Sequence, residues 1–373
     1  MYIRDAVFGN VDISEAELKL IEDSHMQRLR YIKQLSFAYL VYPGAEHTRF
    51  EHSIGAMHVT GEIVDKIFGK DTEEELKVVG LMHDIGVAPY SHSSDHILLK
   101  YLRKTHEQIG AEIIKESSIR DAINSSTLSL KKILSYFNGE SKGSFVTGAI
   151  GSDRIDYLMR DSYHTGVAYG IIDFNRIKGK ITSYKGSPAV FEEGIQGAES
   201  LLIARYFMFS SVYLHHTAII ASLMFERALE AALDAGRIFP GELTELNDET
   251  LTFKLASIDV SRNLIGRISR RQLYKRAYYK ELKNGNANVD EIAKALDRNG
   301  FDSESYVISV YGFKGEGDDL AVISKDGSYL GTLKELSPLV STLSAILRNK
   351  KMLIVACDPR DREEIRKIVE KSL

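Results

Sequence analysis

A mainly α fold, a helical bundle core followed by a small α+β unit, is what this sequence predicts. Three observations carry the prediction. Apolar residues recur at three- and four-residue spacing in several stretches between residues 14 and 236. Capping signals of the S/T-x-x-E/Q type punctuate the same region, at Ser14–Glu17, Thr72–Glu75 and Thr105–Gln108. After about residue 296 the pattern changes to short β-rich runs.

Taken in order, residues 2–13 alternate in polarity around a Gly9-Asn10 turn, so the chain opens with a hairpin. Ser14 then caps a helical stripe of Leu18, Ile21, Leu29 and Ile32. Pro43-Gly44 breaks the chain before a helix at about 48–68, whose apolar face includes Ile54, Val59, Ile63 and Ile67. The Thr72–Glu75 box starts the helix that carries His83-Asp84, and Pro89 ends it. Thr105 caps the next, and Gly151-Ser152 precede the helix bearing Asp153. Ala- and Leu-rich sequence at about 195–236 is strongly helical. Its greasiest part, Leu201–Phe225, is interrupted by Arg205, Ser210, Ser211, His215 and His216, and reads as a buried helix rather than a membrane span. Ser305–Tyr311, Leu320–Ser324 and Lys351–Ala356 read as strands, Asp326-Gly327 as a hairpin turn and Asp361–Ser372 as a charged terminal helix. Three units follow: a helical core over 1–235, a helical extension and linker over 236–295, and an α+β unit over 296–373. The polar run 281–300 marks the second boundary.

The 373 residues are 44% hydrophobic and 27% charged, an ordinary globular composition, and the net charge of -4 supplies no global basic field for nucleic acid. The single cysteine, Cys357, leaves no intrachain disulfide to form. The opening MYIRDAVFGN lacks an apolar signal core. The expectation is a cytoplasmic protein.

Eight of the eleven histidines precede residue 110, and one of them, His83, is followed by Asp84 inside the apolar run VVGLMHDIGVAPY. Burying both groups without a partner is costly. His52 upstream and Asp153 downstream add a second imidazole and a second carboxylate, a donor set suited to a divalent ion such as Mn, Mg, Zn, Ni, Co or Fe. Polar groups satisfied inside a core are the plain alternative. Arg49, about one helical turn before His52, offers a fork for phosphate oxygens, or else a surface partner for Glu46 or Glu51. His106 and Glu107 follow Thr105 into the first turn of a capped helix, where free N–H groups favour anions. An imidazolium there, held by Glu107 or Asp95, can give a proton to a phosphate ester. Taken alone, His106 reads by default as an exposed helix start. Asp153, Tyr157 and Asp161 share one helix face. That face offers Tyr157 to pack on a sugar and Asp161 to accept from a sugar hydroxyl.

The run RLRYIKQL…YPGAEHTRFEHSIG…GLMHDIG…PYSH…THEQ…GSDRIDYLMRD resembles the HD phosphohydrolase superfamily, and within it the deoxynucleoside triphosphate triphosphohydrolase branch, from about Ile3 to about His216. The resemblance implies an HD-domain helical core with His52, His83, Asp84 and Asp153 as metal ligands. It implies catalytic roles for His106, Glu107 and Asp95, and phosphate contacts from Arg49, His92, Arg154 and Arg205. Gln34, Leu35, Tyr157 and Asp161 fall beside the sugar, and Tyr213 falls where a 2′-hydroxyl is excluded. It further implies a nucleotide substrate, release of triphosphate and a homo-oligomer, dimeric or larger. The family segment HD-x-G-H-x-P-F-S-H carries Val87 here in place of its second His, and Phe209 and Leu214 replace a His and a Gln. These departures keep two alternatives open. One is an HD-type nucleotidase or phosphodiesterase on another phosphate ester. The other is a nucleotide-sensing module with little turnover.

Overall fold

The structure, a computed structural model, describes residues 1–69, 74–282, 287–302, 304–312, 320–349 and 351–373. Thr72, half of one expected capping box, lies outside the described residues, as do residues 283–286 of the expected linker.

Strands β1 (Tyr2–Asp5) and β2 (Gly9–Asp12) form the opening antiparallel hairpin. Its turn is closed by Asp5, whose Oδ1 accepts the amides of Val7 and Phe8 at 2.8 Å each. The Ser14–Glu17 and Thr105–Gln108 capping boxes are both formed, at the starts of helices Glu15–Ile21 and His106–Glu116. A third, Thr48–Glu51, starts the 20-residue helix Arg49–Phe68. This helix is the spine of the core, packing against helices Glu74–Met82 and Ser152–Thr165. Its buried residues include Phe50, Ile54, Met57, Val59, Ile63 and Val64, all in one continuous hydrophobic cluster.

Two helical expectations are corrected. The helix Glu74–Met82 ends before His83, so His83-Asp84 stand in the turn 83–86 beyond it, and Pro89 does not terminate it. The cause is tertiary. Gly86 runs so close to the His106–Glu116 helix that a Cβ there would lie 2.2 Å from the His106 carbonyl oxygen. Buried Arg28 then fixes the loop, donating to the carbonyls of Ile85 (3.1 Å), Val87 (2.7 Å) and Leu246 (2.8 Å). Arg28→Met would leave three carbonyls without this donor. We expect a loss of about 3 kcal/mol in chemical denaturation; unchanged stability would contradict the clamp.

The expected single helix over 201–225 is two helices, Ile195–Met208 and His216–Asp234, joined through a π-helical turn, Phe209–Tyr213, and bent by 62°. Ser210 and Ser211 bond back to the carbonyls of Tyr206 and Phe207, a competition known to bend helices. Among the described residues, no single helix is long and apolar enough to cross a membrane.

The expected strands are present as β6 (Tyr306–Gly312), β7 (Ala321–Ile323) and β9 (Lys351–Cys357), and the Asp326-Gly327 turn joins β7 to β8 (Tyr329–Thr332). They do not form one separate unit over 296–373. Strand β9 is buried along Met352–Cys357 and needs a neighbour on each side. One neighbour, β5 (Lys275–Glu281), comes from the expected helical extension, giving the order β5-β9-β6. The β7–β8 hairpin joins a second sheet, pairing in parallel with β4 (Ser187–Phe191), itself antiparallel to β3 (Ile181–Tyr184). The boundary at 295 is therefore crossed by two sheets and that at 235 by one.

Candidate metal centre

His52 from the 49–68 helix, His83-Asp84 from the turn and Asp153 from the 152–165 helix converge. His52 Nε2 lies 3.1 Å from His83 Nε2, 3.1 Å from Asp153 Oδ1 and 3.7 Å from Asp84 Oδ2. His83 Nε2 lies 3.5 Å from Asp84 Oδ2 and 3.6 Å from Asp153 Oδ1. Bonds of about 2.1 Å to one cation hold adjacent ligand atoms about 3.0 Å apart at a right angle and about 3.4 Å apart in a tetrahedron. The two spacings of 3.1 Å fall in that range, and the other three, at 3.5–3.7 Å, lie just beyond it.

Tautomers agree with this reading. His83 Nδ1 donates to the Gly80 carbonyl (2.8 Å), and His52 Nδ1 donates to Asp156 Oδ2 (2.6 Å). With both Nδ1 atoms engaged outward, each ring turns its Nε2 inward, and that nitrogen presents a lone pair whenever the ring is neutral, as metal-binding imidazoles do. Burial alone would lower both imidazole pKa values. The hydrogen bonds of His52 to Asp153 and Asp156, and the charges of Asp84 and Asp153 beside His83, outweigh it and raise both. Burial would likewise raise Asp84 and Asp153. Arg49 beside Asp84, and the His52 hydrogen bond and the nearby His83 imidazole beside Asp153, hold both low instead. This is a site that demands positive charge, which a divalent cation could supply.

Arg49 is 3% exposed and is not a surface partner of Glu46 or Glu51. Its NH1 donates to Asp84 Oδ2 (2.6 Å) and its Nε to Ser91 Oγ (2.9 Å), which puts a buried cation at the rim of the cluster. Asp95 bridges two imidazoles, with Oδ2 2.9 Å from His92 Nδ1 and Oδ1 3.2 Å from His106 Nδ1. Glu107 Oε1 stands 3.3 Å from the far nitrogen of His106, so both expected holders of His106 are in place. Burial disfavours the His106 cation, but the Asp95 hydrogen bond prevails and raises its pKa.

Tyr213 donates to Asp161 Oδ2 (2.7 Å), and His47 Nε2 donates to Asp161 Oδ1 (2.7 Å). Both oxygens of the expected sugar acceptor are thus engaged by protein. Tyr157 sets its ring edge-on to Tyr213, with centroids 6.1 Å apart. Arg154 and Arg205 are buried and their charges act on the Tyr157 hydroxyl, although Arg154 NH1 also donates to the Ala149 carbonyl (3.0 Å). Gln34 is buried, and its side-chain oxygen has no hydrogen-bond partner among the described residues, while Leu35 is half-buried beside it. Val87 is buried in the hydrophobic core.

Sequence reasoning missed Asp156, Arg160 and His47. Asp156 orients His52 and is gripped by Arg160 through two hydrogen bonds, Nε to Oδ2 (3.0 Å) and NH2 to Oδ1 (2.8 Å). The i, i+4 spacing of Asp156 and Arg160 was a signal, but an ordinary exposed pair gives the same one.

Comparison with known proteins adds the lineage. The HD domain family model matches residues 49–161, which include His52, His83, Asp84, Asp153, Arg49, Asp95 and His106. The HD associated region matches residues 172–373. An uncharacterized protein of Methanocaldococcus jannaschii is 39% identical over 280 residues, covering 73% of this chain and 58% of its own length. The deoxynucleoside triphosphate triphosphohydrolase SAMHD1 homolog of Dictyostelium discoideum is 26% identical over 306 residues, 73% of this chain and 59% of that protein. The chain therefore spans a little over half the length of these curated relatives. The crystal structure of a hypothetical protein from Aquifex aeolicus shares the fold with a TM-score of 0.83 and 30% identity, covering 99% of both chains. Its HD domain, its HD associated region and its overall fold make this chain a member of the HD phosphohydrolase superfamily.

Proposed function

We propose that the protein is a metal-dependent phosphohydrolase of nucleotides, with deoxynucleoside triphosphates as substrate and triphosphate as product. One observation carries this reading: the His52–His83–Asp84–Asp153 cluster is flanked by a buried arginine and by a carboxylate-held imidazole. His52, His83, Asp84 and Asp153 would hold a divalent cation, which would supply Lewis acidity and lower the pKa of water. Arg49, Arg154, Arg205 and His92 neutralise phosphate charge. His106, held by Asp95 and Glu107, gives its proton to the leaving oxygen. The His47–Asp161–Tyr213 string fixes the Tyr213 hydroxyl beside the sugar, Tyr157 and Leu35 supply its apolar walls, and the unpartnered Gln34 oxygen accepts from a sugar hydroxyl. The name of the Dictyostelium relative supports the substrate class. A homo-oligomer acting in the cytoplasm belongs to the same proposal.

A second reading, a nucleotidase or phosphodiesterase on another phosphate ester, is favoured by the apolar edge. Val87 places no imidazole near phosphate, and Phe209 stands edge-on to Tyr213 at 4.9 Å where the resemblance implies a histidine. Incubation with Mn, Mg, Co, Ni or Zn against a nucleotide panel separates the two by product. Triphosphate release supports the first, and orthophosphate or an opened cyclic ester supports the second. Tight binding without turnover, indifferent to His106→Ala, would make the protein a sensor instead.

The acid role fixes a pH dependence. A general acid must be protonated, so turnover persists below the pKa of His106 and is lost as pH rises through it. Asp95 raises that pKa. Asp95→Asn is therefore expected to move the alkaline limb of the kcat profile to lower pH and to lower kcat at neutral pH by about a hundredfold. An unmoved limb would exclude His106 as the acid.

A further inference from the structure

The N-terminal hairpin reaches the candidate metal ligands through three buried side chains. Asp5 Oδ2 makes an ion pair with Arg160 NH1 at 2.9 Å, a charge contact rather than an aligned hydrogen bond. The rest of the Arg160 fork grips both oxygens of Asp156, and Asp156 Oδ2 accepts from His52 Nδ1 at 2.6 Å. Arg160 and Asp156 are 0% exposed and Asp5 is 7% exposed, so the relay runs where charge interactions are weakly screened. Asp5 has a second task, since its Oδ1 closes the hairpin turn on the amides of Val7 and Phe8. One carboxylate therefore shapes the turn and balances the buried arginine. Without it, Arg160 would draw more strongly on Asp156, and Asp156 would support the His52 imidazole less well as a donor.

We propose that Asp5 is a positioning residue of the metal centre, tying the N-terminal hairpin to His52 so that metal binding and hairpin docking stabilise each other. The coupling is reciprocal because any effect of the hairpin on metal affinity must equal the effect of metal on hairpin docking. Asp5 lies outside the HD domain match, which begins at residue 49. The proposal rests on the reading of the four converging groups as cation ligands.

The test uses the full chain and Mn2+. Binding is read from the EPR signal of free Mn2+, and hairpin docking from hydrogen exchange of residues 2–12 with and without Mn2+. Asp5→Asn keeps an oxygen for the turn amides and loses the charge facing Arg160. It is expected to weaken Mn2+ binding about tenfold and to abolish the Mn2+-induced protection of the hairpin. Arg4→Ala, which removes only the exposed Arg4–Asn10 hydrogen bond, is expected to leave both unchanged. Wild-type affinity in Asp5→Asn overturns the proposal, as does an equal loss in Arg4→Ala. Should Asp5→Asn fail to fold, the wild-type exchange experiment decides: hairpin exchange indifferent to bound Mn2+ overturns the coupling while leaving the metal site intact. A wild-type chain that binds no Mn2+ overturns the metal reading, and this proposal with it.

Discussion

Replacing His83 by alanine is expected to empty the metal site and to lower phosphate-ester hydrolysis on the order of 10³-fold. The size follows from the several kcal/mol that a Lewis-acid cation contributes to a phosphoryl transition state, with each 1.36 kcal/mol worth a factor of ten. His83 is the informative ligand. Its ring is oriented by the Gly80 carbonyl, and its Nε2 lies within 3.6 Å of the ligand atoms of His52, Asp84 and Asp153. Elemental analysis after dialysis against Mn2+ reads occupancy, and kcat in excess Mn2+ reads the chemistry. A variant that retains one equivalent of metal and wild-type turnover would remove His83 from the ligand set.

Gly55→Ala is expected to destabilise the protein by about 3 kcal/mol or more. A Cβ at Gly55 would lie 1.8 Å from Asp156 Oδ1 and 2.2 Å from Arg160 NH2. Neither neighbour can yield cheaply, because Asp156 holds His52 and Arg160 sits fully buried between two carboxylates. Helix propensity alone predicts the opposite sign, a gain of about 1 kcal/mol for alanine over glycine. Gly61→Ala in the same helix is the control, since its Cβ would meet only the flexible Lys77 side chain, at 3.4 Å. Urea denaturation should show Gly61→Ala neutral or stabilised and Gly55→Ala strongly destabilised. Equal behaviour of the two would mean that the Asp156–Arg160 pair does not constrain the helix.

Much of the helical core was legible because its signals are local. Ser14–Glu17 and Thr105–Gln108 announce helix starts, and both boxes form. The cluster was legible for a different reason: a His-Asp pair in an apolar run must find a partner, and the resemblance of the flanking motifs singled out His52 and Asp153. What could not be read was decided by contacts between distant segments. Nothing in VVGLMHDIG marks a stop at Met82; the turn is forced where Gly86 passes the His106–Glu116 helix. Leu201–Phe225 reads by composition as one helix despite Ser210 and Ser211, whose side chains turn back on the backbone only in the fold, so the break at Phe209–Tyr213 escaped, yet it sets Tyr213 on Asp161. Strand β5 reads KRAYYKE, too charged to suggest a place beside the buried β9. Asp5, Asp156 and Arg160 look like surface charges until the fold buries them together.

Anomalous diffraction from crystals grown with Mn2+ tests the central claim most directly. One strong peak per chain is expected, about 2.1 Å from His52 Nε2 and His83 Nε2 and bonded to carboxylate oxygens of Asp84 and Asp153. No peak among these four side chains, or a peak bound elsewhere with the two imidazoles left in direct contact, would contradict it.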